Sequence, residues 1–406
     1  MRIIAIFILI IGVCSQVQAQ HMLPTFYDTT AHDQSVVIDG NAFYHTSAVK
    51  NEIANAFLFG GFIDEGMKDR SNDKHESYNR LGGEVSSEIS YYKKLKNAKR
   101  NLGFYIRGGN TALFASDYAV SVFRLGMYGN AAYDNQTLNL SNTQAFFMNT
   151  YKLGGGIYNP INNNSIGLNI VAANDFSRLN IGNSSLYTNL NDDQLDIEMN
   201  GYFQQSISPA YFQGLGASVD FDYHLPIKEG GYIEGFIKIT GRNLGAVRMH
   251  KLNQTSFEGA VGFDGFQFSD FNDLSENENF YDRLTDSISV TNKENGRWVA
   301  LPGFVQVGKI VDHTADRKLQ SFFGARMYAT FGYLPMVYFG GHYRATETIA
   351  FGGQVTYGGF GNLRTGVYAG YNDGRYTVSI GSQDFLGLLL KSQYGQSLII
   401  RLQWNI

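Results

Sequence analysis

From Ser397 to Ile406 apolar and polar positions alternate: Leu398, Ile400, Leu402, Trp404 and Ile406 share one parity, Ser397, Arg401, Gln403 and Asn405 the other, and only Ile399 breaks the pattern. Successive strand side chains point to opposite faces, so this spacing predicts a strand with one apolar and one polar face. The stretch matches the roughly 9 to 11 residues a tilted strand needs to cross a bilayer. The same alternation recurs upstream. Leu195, Ile197, Met199 and Phe203 oppose Asp196, Glu198, Asn200 and Tyr202, and Ala217, Val219, Phe221, Tyr223 and Leu225 oppose Ser218, Asp220, Asp222 and His224. After a turn at Lys228 to Gly231, Ile233, Ile237 and Ile239 oppose Glu234, Lys238 and Thr240. Val85, Ile89 and Tyr91 oppose Glu84, Glu88 and Ser90, Leu102, Phe104 and Ile106 oppose Arg107, and Tyr376, Val378 and Ile380 oppose Arg375, Thr377 and Ser379.

Two-faced strands suit either a soluble sandwich, which buries its apolar face against a second layer, or a membrane barrel, which turns that face to lipid. No long helical repeat supplies a covering layer, and helix is expected only between Gln20 and about Asn55. The pattern therefore predicts an all-β fold, a transmembrane antiparallel barrel of about 14 strands, within 12 to 16, closing every backbone hydrogen bond. Asn372-Asp373-Gly374 reads as a type I′ hairpin turn, and Asn159-Pro160 and Gly358-Gly359 mark further connections.

The start of the chain agrees with export. Met1-Arg2, the apolar run Ile3 to Val13 and Val17-Gln18-Ala19 read as a signal peptide over residues 1–19. A lipoprotein signal at Cys14 competes, with the bulky Val13 against it. Residues 20–50 are expected to form an N-terminal segment, a candidate inner plug, and 51–406 the barrel. Removal of the signal would take the only Cys with it. Composition fits: 46 Gly, 26 Tyr and 30 Phe beside 6 Pro favour many strands and tight turns, with aromatics for interfacial girdles. A net charge of −4 offers no footprint for nucleic acid.

Phe57-Leu-Phe-Gly-Gly-Phe-Ile-Asp64 with Met67-Lys-Asp-Arg70, the run Gly352-Gly353-Gln-Val-Thr-Tyr-Gly-Gly359 and the closing strand resemble a Bacteroidota outer-membrane β-barrel family of uncharacterised function. The chain is also distantly similar to FadL-like barrels of the PorV and PorP/SprF type, linked to type IX secretion and gliding motility. The resemblance implies a barrel with a short inner N-terminal segment, integral to the bacterial outer membrane. It transfers no catalytic or ligand residue.

The chemistry is sparse. None of the eight His pairs in an HExxH motif, and no GxSxG elbow appears. No catalytic, cofactor-binding or metal-ligating residue is nominated, and a non-enzymatic protein is expected. The polar strand faces nominate a lumen set: Glu84, Glu88, Arg107, Asp196, Glu198, Asp220, Asp222, Glu234, Lys238, Arg375 and Arg401. Such a set fits a salt-bridged, closed interior or a selective solute path. Between Asp264 and Asp286, seven carboxylates interleave with Phe266, Phe268, Phe271, Phe280 and Tyr281, which suits a partner-binding loop or a loop folded back as a plug. Ca²⁺ is a further option there, although EF-hand spacing is absent. Trp404 and Ile406 look like a C-terminal insertion signal. The expected partners are outer-membrane lipid and other envelope proteins. The expected role is an accessory or scaffold subunit of an envelope assembly; the alternative is a passive channel or FadL-like transporter for a small or hydrophobic solute.

Overall fold

The computed structural model describes residues 32–95, 101–191, 194–207, 210–229, 232–264, 288–311 and 317–406. The signal peptide, the chain up to residue 31 and residues 265–287 lie outside the described residues, and with them Phe266, Phe268, Phe271, Phe280 and Tyr281.

In chain order the first half comprises β1 (Gln34–Thr46), α1 (Asn51–Phe59), α2 (Glu65–Asn72), β2 (Tyr78–Lys94), β3 (Gly103–Ala119), α3 (Val120–Tyr128), β4 (Gln136–Asn139), β5 (Thr143–Tyr158), β6 (Ser165–Ile181), β7 (Ser185–Asn189), β8 (Gln194–Ser206) and β9 (Gly214–Glu229). There follow β10 (Tyr232–Asp264), β11 (Ile288–Ala300), β12 (Phe304–Ile310), β13 (Leu319–Tyr328), β14 (Leu334–Arg344), β15 (Ile349–Gly359), β16 (Arg364–Asn372), β17 (Tyr376–Ser382), α4 (Phe385–Leu389) and β18 (Gly395–Asn405).

Fourteen of these strands make a closed antiparallel barrel, as the alternation predicts. The wall runs β1-β2-β3-β5-β6-β9-β10-β12 and on in order to β18, which returns to β1 from Ser35 opposite Asn405 to His45 opposite Gly395. Closure leaves the wall no free edge, which a membrane demands of any sheet. Among the described residues no helix is long and apolar enough to cross a membrane, which says nothing about a barrel.

The 33-residue β10 runs from the barrel wall into an extension of the same sheet. Its first part pairs with β9 and β12; β11 takes the place of β12 from Ala246, and β8 that of β9 from Leu252. There β4, β7, β8, β10 and β11 extend the wall beyond the barrel rim. The helices sit at the same rim, opposite the end that holds Gln34 and Ile406.

Several local expectations are corrected. Gln34–Thr46, inside the range expected to hold a plug, pairs on both sides as a wall strand, so the barrel begins before residue 51. Helix also forms beyond Asn55, at Glu65–Asn72, Val120–Tyr128 and Phe385–Leu389. Phe57–Asp64 comprises the end of α1 and the following loop, with Gly60 at φ +75° ending the helix. In the β16–β17 turn Gly374 alone is left-handed, φ +87°. Asp373 instead accepts the N–H groups of Arg375 at 3.0 Å and Tyr376 at 2.6 Å, so the turn is not type I′.

Parity decides what each wall residue meets. Leu402, Trp404, Val378, Ile380, Val85 and Ile89 all stand exposed on the outer face, whereas Asp220, Thr377, Ser379 and Ser397 are buried on the inner face. Ile399, the one apolar residue on the polar face of the closing strand, is 2% exposed within an apolar cluster inside the barrel. Its break of pattern reports a local apolar lumen.

Candidate functional site: a closed lumen and its rim

A barrel of this size encloses more room than in the narrowest barrels, whose wall side chains alone fill them. Here the interior is closed by two unlike groups of side chains. The first lines β1–β3, β5, β9, β10 and β18. Asp220, 1% exposed, meets Arg107 at 3.1 Å and Lys152 at 3.4 Å and accepts the Asn243 N–H at 2.7 Å. Glu88 meets the same two cations, Lys152 at 3.1 Å and Arg107 at 3.5 Å. Asp222 pairs with Arg242 and, at 3.1 Å, with Lys238. Arg401 reaches Asp39 at 3.2 Å across the closing seam. Each charge is held by opposite charges, which is what makes burial of so many ions tolerable.

The second group is apolar and aromatic. Phe146, Met148, Val171 and Phe176 from β5 and β6 join Phe304, Phe322, Tyr328, Tyr338 and Tyr368 from the facing wall. Glycines seat the rings. A Cβ at Gly340 would stand 2.3 Å from Phe322, at Gly352 2.2 Å from Tyr368, and at Gly167 2.2 Å from the Tyr105 hydroxyl. The run Gly352 to Gly359 is thus a packing device as well as a strand.

Two features join the groups across the lumen. The Tyr328 hydroxyl of β13 donates to Glu84 of β2 at 2.9 Å, between strands seven places apart in the ring of 14 and so diametrically opposed. Glu84 also accepts from Asn41 at 3.2 Å and Ser86 at 2.7 Å. The β13–β14 loop reaches the far wall, where a Cβ on Gly332 (φ +68°) would lie 2.9 Å from the Ser116 carbonyl oxygen of β3. From the same loop Phe331 stacks edge-on to Phe146 at 6.4 Å, and Tyr333 packs on Phe360 at 5.0 Å.

Beside that loop a cleft of about 450 Å³ opens at the rim, lined by Phe146, Phe176, Arg178, Arg297, Trp298 and Phe331 among others. Phe146 and Phe176 also belong to the apolar cluster of the lumen. The Arg178 guanidinium lies over the Phe331 ring at 5.9 Å, and its Nε finds no hydrogen-bond partner among the described residues.

Of the nominated lumen residues, Glu84, Glu88, Arg107, Asp220, Asp222, Lys238 and Arg401 come together inside. Asp196 and Glu198 do not: β8 stands beyond the rim, where Leu195, Ile197 and Met199 pack against Val261 and Phe257. Arg375 lies exposed in the terminal-end turn, over the Tyr376 ring at 5.3 Å. Glu234 falls within β10, but its side chain is outside the described residues. Trp404 and Ile406 face outward, 43% and 54% exposed. The sequence reading missed Asp39, Lys152 and Arg242. Asp39 alternates with Val36 and Ile38 in a stretch read as a plug, Lys152 precedes a glycine run, and Arg242 sits at a bulge between Gly241 and Leu244 that breaks parity.

Among the described residues no group of His, Cys, Asp and Glu side chains is placed to hold a metal ion. No protein-family model matches the chain, and no curated protein matches it. Among solved structures it is similar to a deletion mutant of the TodX monoaromatic hydrocarbon channel, with TM-score 0.41, 9% identity, and 93% of this chain and 92% of that one covered. It is also similar to the Pseudomonas putida toluene transporter TodX, with TM-score 0.36, 8% identity, and 92% and 90% covered. A third is the translocator domain of the autotransporter NalP from Neisseria meningitidis, with TM-score 0.28, 9% identity, and 92% and 88% covered. These values carry nothing about cargo.

Proposed function

We propose that this chain is a non-enzymatic barrel of the bacterial outer membrane that passes a small hydrophobic solute through a gated lumen. The observation that supports this reading is a closed interior with an aromatic cleft opening into its apolar part. An ion crossing the lumen would have to shed its water among Phe146, Phe176 and Phe322, whereas an apolar solute loses nothing by entering the same place. The β13–β14 loop is the element whose displacement opens the path, because it joins the two walls at the rim. Uptake of a small aromatic hydrocarbon by cells with and without the protein tests the reading. Faster uptake without added ion conductance is the expected result; equal uptake would contradict it.

The accessory-subunit reading is favoured by one different observation. The five-strand extension carries its own apolar cluster around Leu195 and Val261, and at the other end of β8 Tyr211 and Phe212 group with Tyr151 and stand exposed. This is surface that a solitary transporter does not need. Affinity purification in mild detergent tests it, and recovery of the barrel alone would count against it.

A further inference from the structure

An exposed apolar surface outside the strands lies at the rim, where α4 interrupts the wall. β17 ends at Ser382, while β16 and β18 run on to Arg364 and Gly395, and α4 packs against both. The gap is closed by polar contacts: the Ser397 hydroxyl oxygen accepts from the N–H groups of Gln383 and Asp384, and the Asp384 carboxylate caps Gly387 at 3.0 Å. Leu386, Leu388, Leu389 and Leu390 of this insert are 39% to 63% exposed.

α1 starts beside it. The Asn51 side-chain amide donates to the Gly387 carbonyl at 2.9 Å, and the Glu52 N–H donates to the Lys391 carbonyl at 3.0 Å. Ile53 then packs with Tyr118 and Phe123, and with Leu81, which anchors the helices on the outward side of β2 and β3. The helix ends in Phe57, Leu58 and Phe59, with Phe62 just beyond, 55% to 85% exposed. Water is a poor medium for so many large apolar side chains in one place.

We propose that the α1 tip and the α4 leucines are a second lipid-contacting surface, entering the bilayer interface at the rim above the strand band. The depth fits. The 11 residues of β18, at about 3.3 Å each and tilted as barrel strands are, span roughly the 25 Å of a lipid-facing band, and α4 and α1 begin where that strand ends. The surface continues the outward face of β18, Leu398 and Ile400, which lipid covers all round the barrel, so no partner of matching shape is required. Exposed Lys391 stands between the two helices, suited to anionic headgroups.

The test places a nitroxide spin label at Phe59→Cys, and separately at Leu389→Cys, in full-length mature protein in phosphatidylcholine–phosphatidylglycerol vesicles. Collision with oxygen is compared with collision with a water-soluble nickel chelate. Val378→Cys on the strand exterior and Asp73→Cys in the loop after α2 serve as lipid and water references. Oxygen accessibility exceeding nickel accessibility several-fold at both rim sites, between the two references, is expected. Nickel accessibility equal to that at Asp73, or protection from both reagents as a protein partner or a second copy would give, overturns the proposal. Both substitutions fall at exposed positions, and the Val378 reference reports membrane insertion independently, so a folding failure would be recognised as such.

Discussion

From β2 to β9 the wall strands are 16 to 17 residues long and carry most of the ion pairs; from β12 to β17 they are 7 to 11 residues long and carry rings seated on glycines. The long wall outruns a bilayer and continues into the rim sheet. The short wall is about as long as a membrane requires. The inner faces differ in what holds them closed. Ion pairs hold a fixed geometry because each partner is costly to strip, whereas rings over glycine give volume without charge and can yield to an apolar guest. The difference places the ion-paired, rigid part of the lumen on the long wall, whose Phe146 and Phe176 then complete the adaptable part begun on the short one.

The largest expected effect is on the long wall. Asp220→Ala leaves Arg107 and Lys152 short of a buried partner and should cost about 3 to 5 kcal/mol, read as a lower denaturant midpoint by tryptophan fluorescence. On the short wall, Gly352→Val drives a side chain into Tyr368 and should cost about 1 to 3 kcal/mol, with partial recovery in Gly352→Val/Tyr368→Ala. Recovery of the wild-type midpoint by Tyr368→Ala would show that the ring is the obstacle; no recovery would put the strain in the backbone. Between the walls, Tyr328→Phe removes one donor from the buried Glu84 carboxylate at about 1 to 3 kcal/mol. A double-mutant cycle with Glu84→Gln should give a coupling well above zero; additivity would mean the walls are not joined there.

The smallest effect lies in the helices outside the wall. His75 stacks on Phe123 at 4.0 Å, its Nδ1 faces the Ser71 carbonyl at 2.9 Å and its Nε2 the Tyr118 hydroxyl at 3.1 Å. Burial, against that backbone hydrogen bond and with Arg124 nearby, lowers its pKa. The folded helix group around His75 therefore binds fewer protons than the unfolded chain, so its stability is present above the ordinary histidine value of about 6.5 and falls as pH drops through it. Proteolysis of the loop between α1 and α2 should quicken from about pH 7 to 5, and His75→Phe should abolish that dependence.

Period-two alternation carried the barrel and its strand number, because a strand facing lipid on one side and a polar interior on the other leaves that signature at every turn of the pleat. It also carried Glu88, Arg107, Asp220 and Arg401 into the lumen. It misplaced Asp196 and Glu198, because β8 alternates for a different reason: its apolar residues cluster with Val261 and Phe257 of the neighbouring β10, beyond the rim. Alternation reports two faces and not what covers them. Lys152 and Arg242 were hidden where glycines and a bulge dilute or reset the parity, and the pairing of Tyr328 with Glu84, 244 residues apart, follows only from the ring order of the strands. Ile399 shows the opposite case, a break in the pattern that marks the apolar lumen.

Single-channel recording in planar bilayers tests the closed lumen most directly, comparing the intact protein with a variant lacking Thr330 to Gly332. The intact barrel should show no sustained conductance, while the shortened loop, no longer reaching Ser116 of the far wall, should give frequent openings. Steady ion flow through the intact protein would contradict a lumen closed by the meeting of its two walls.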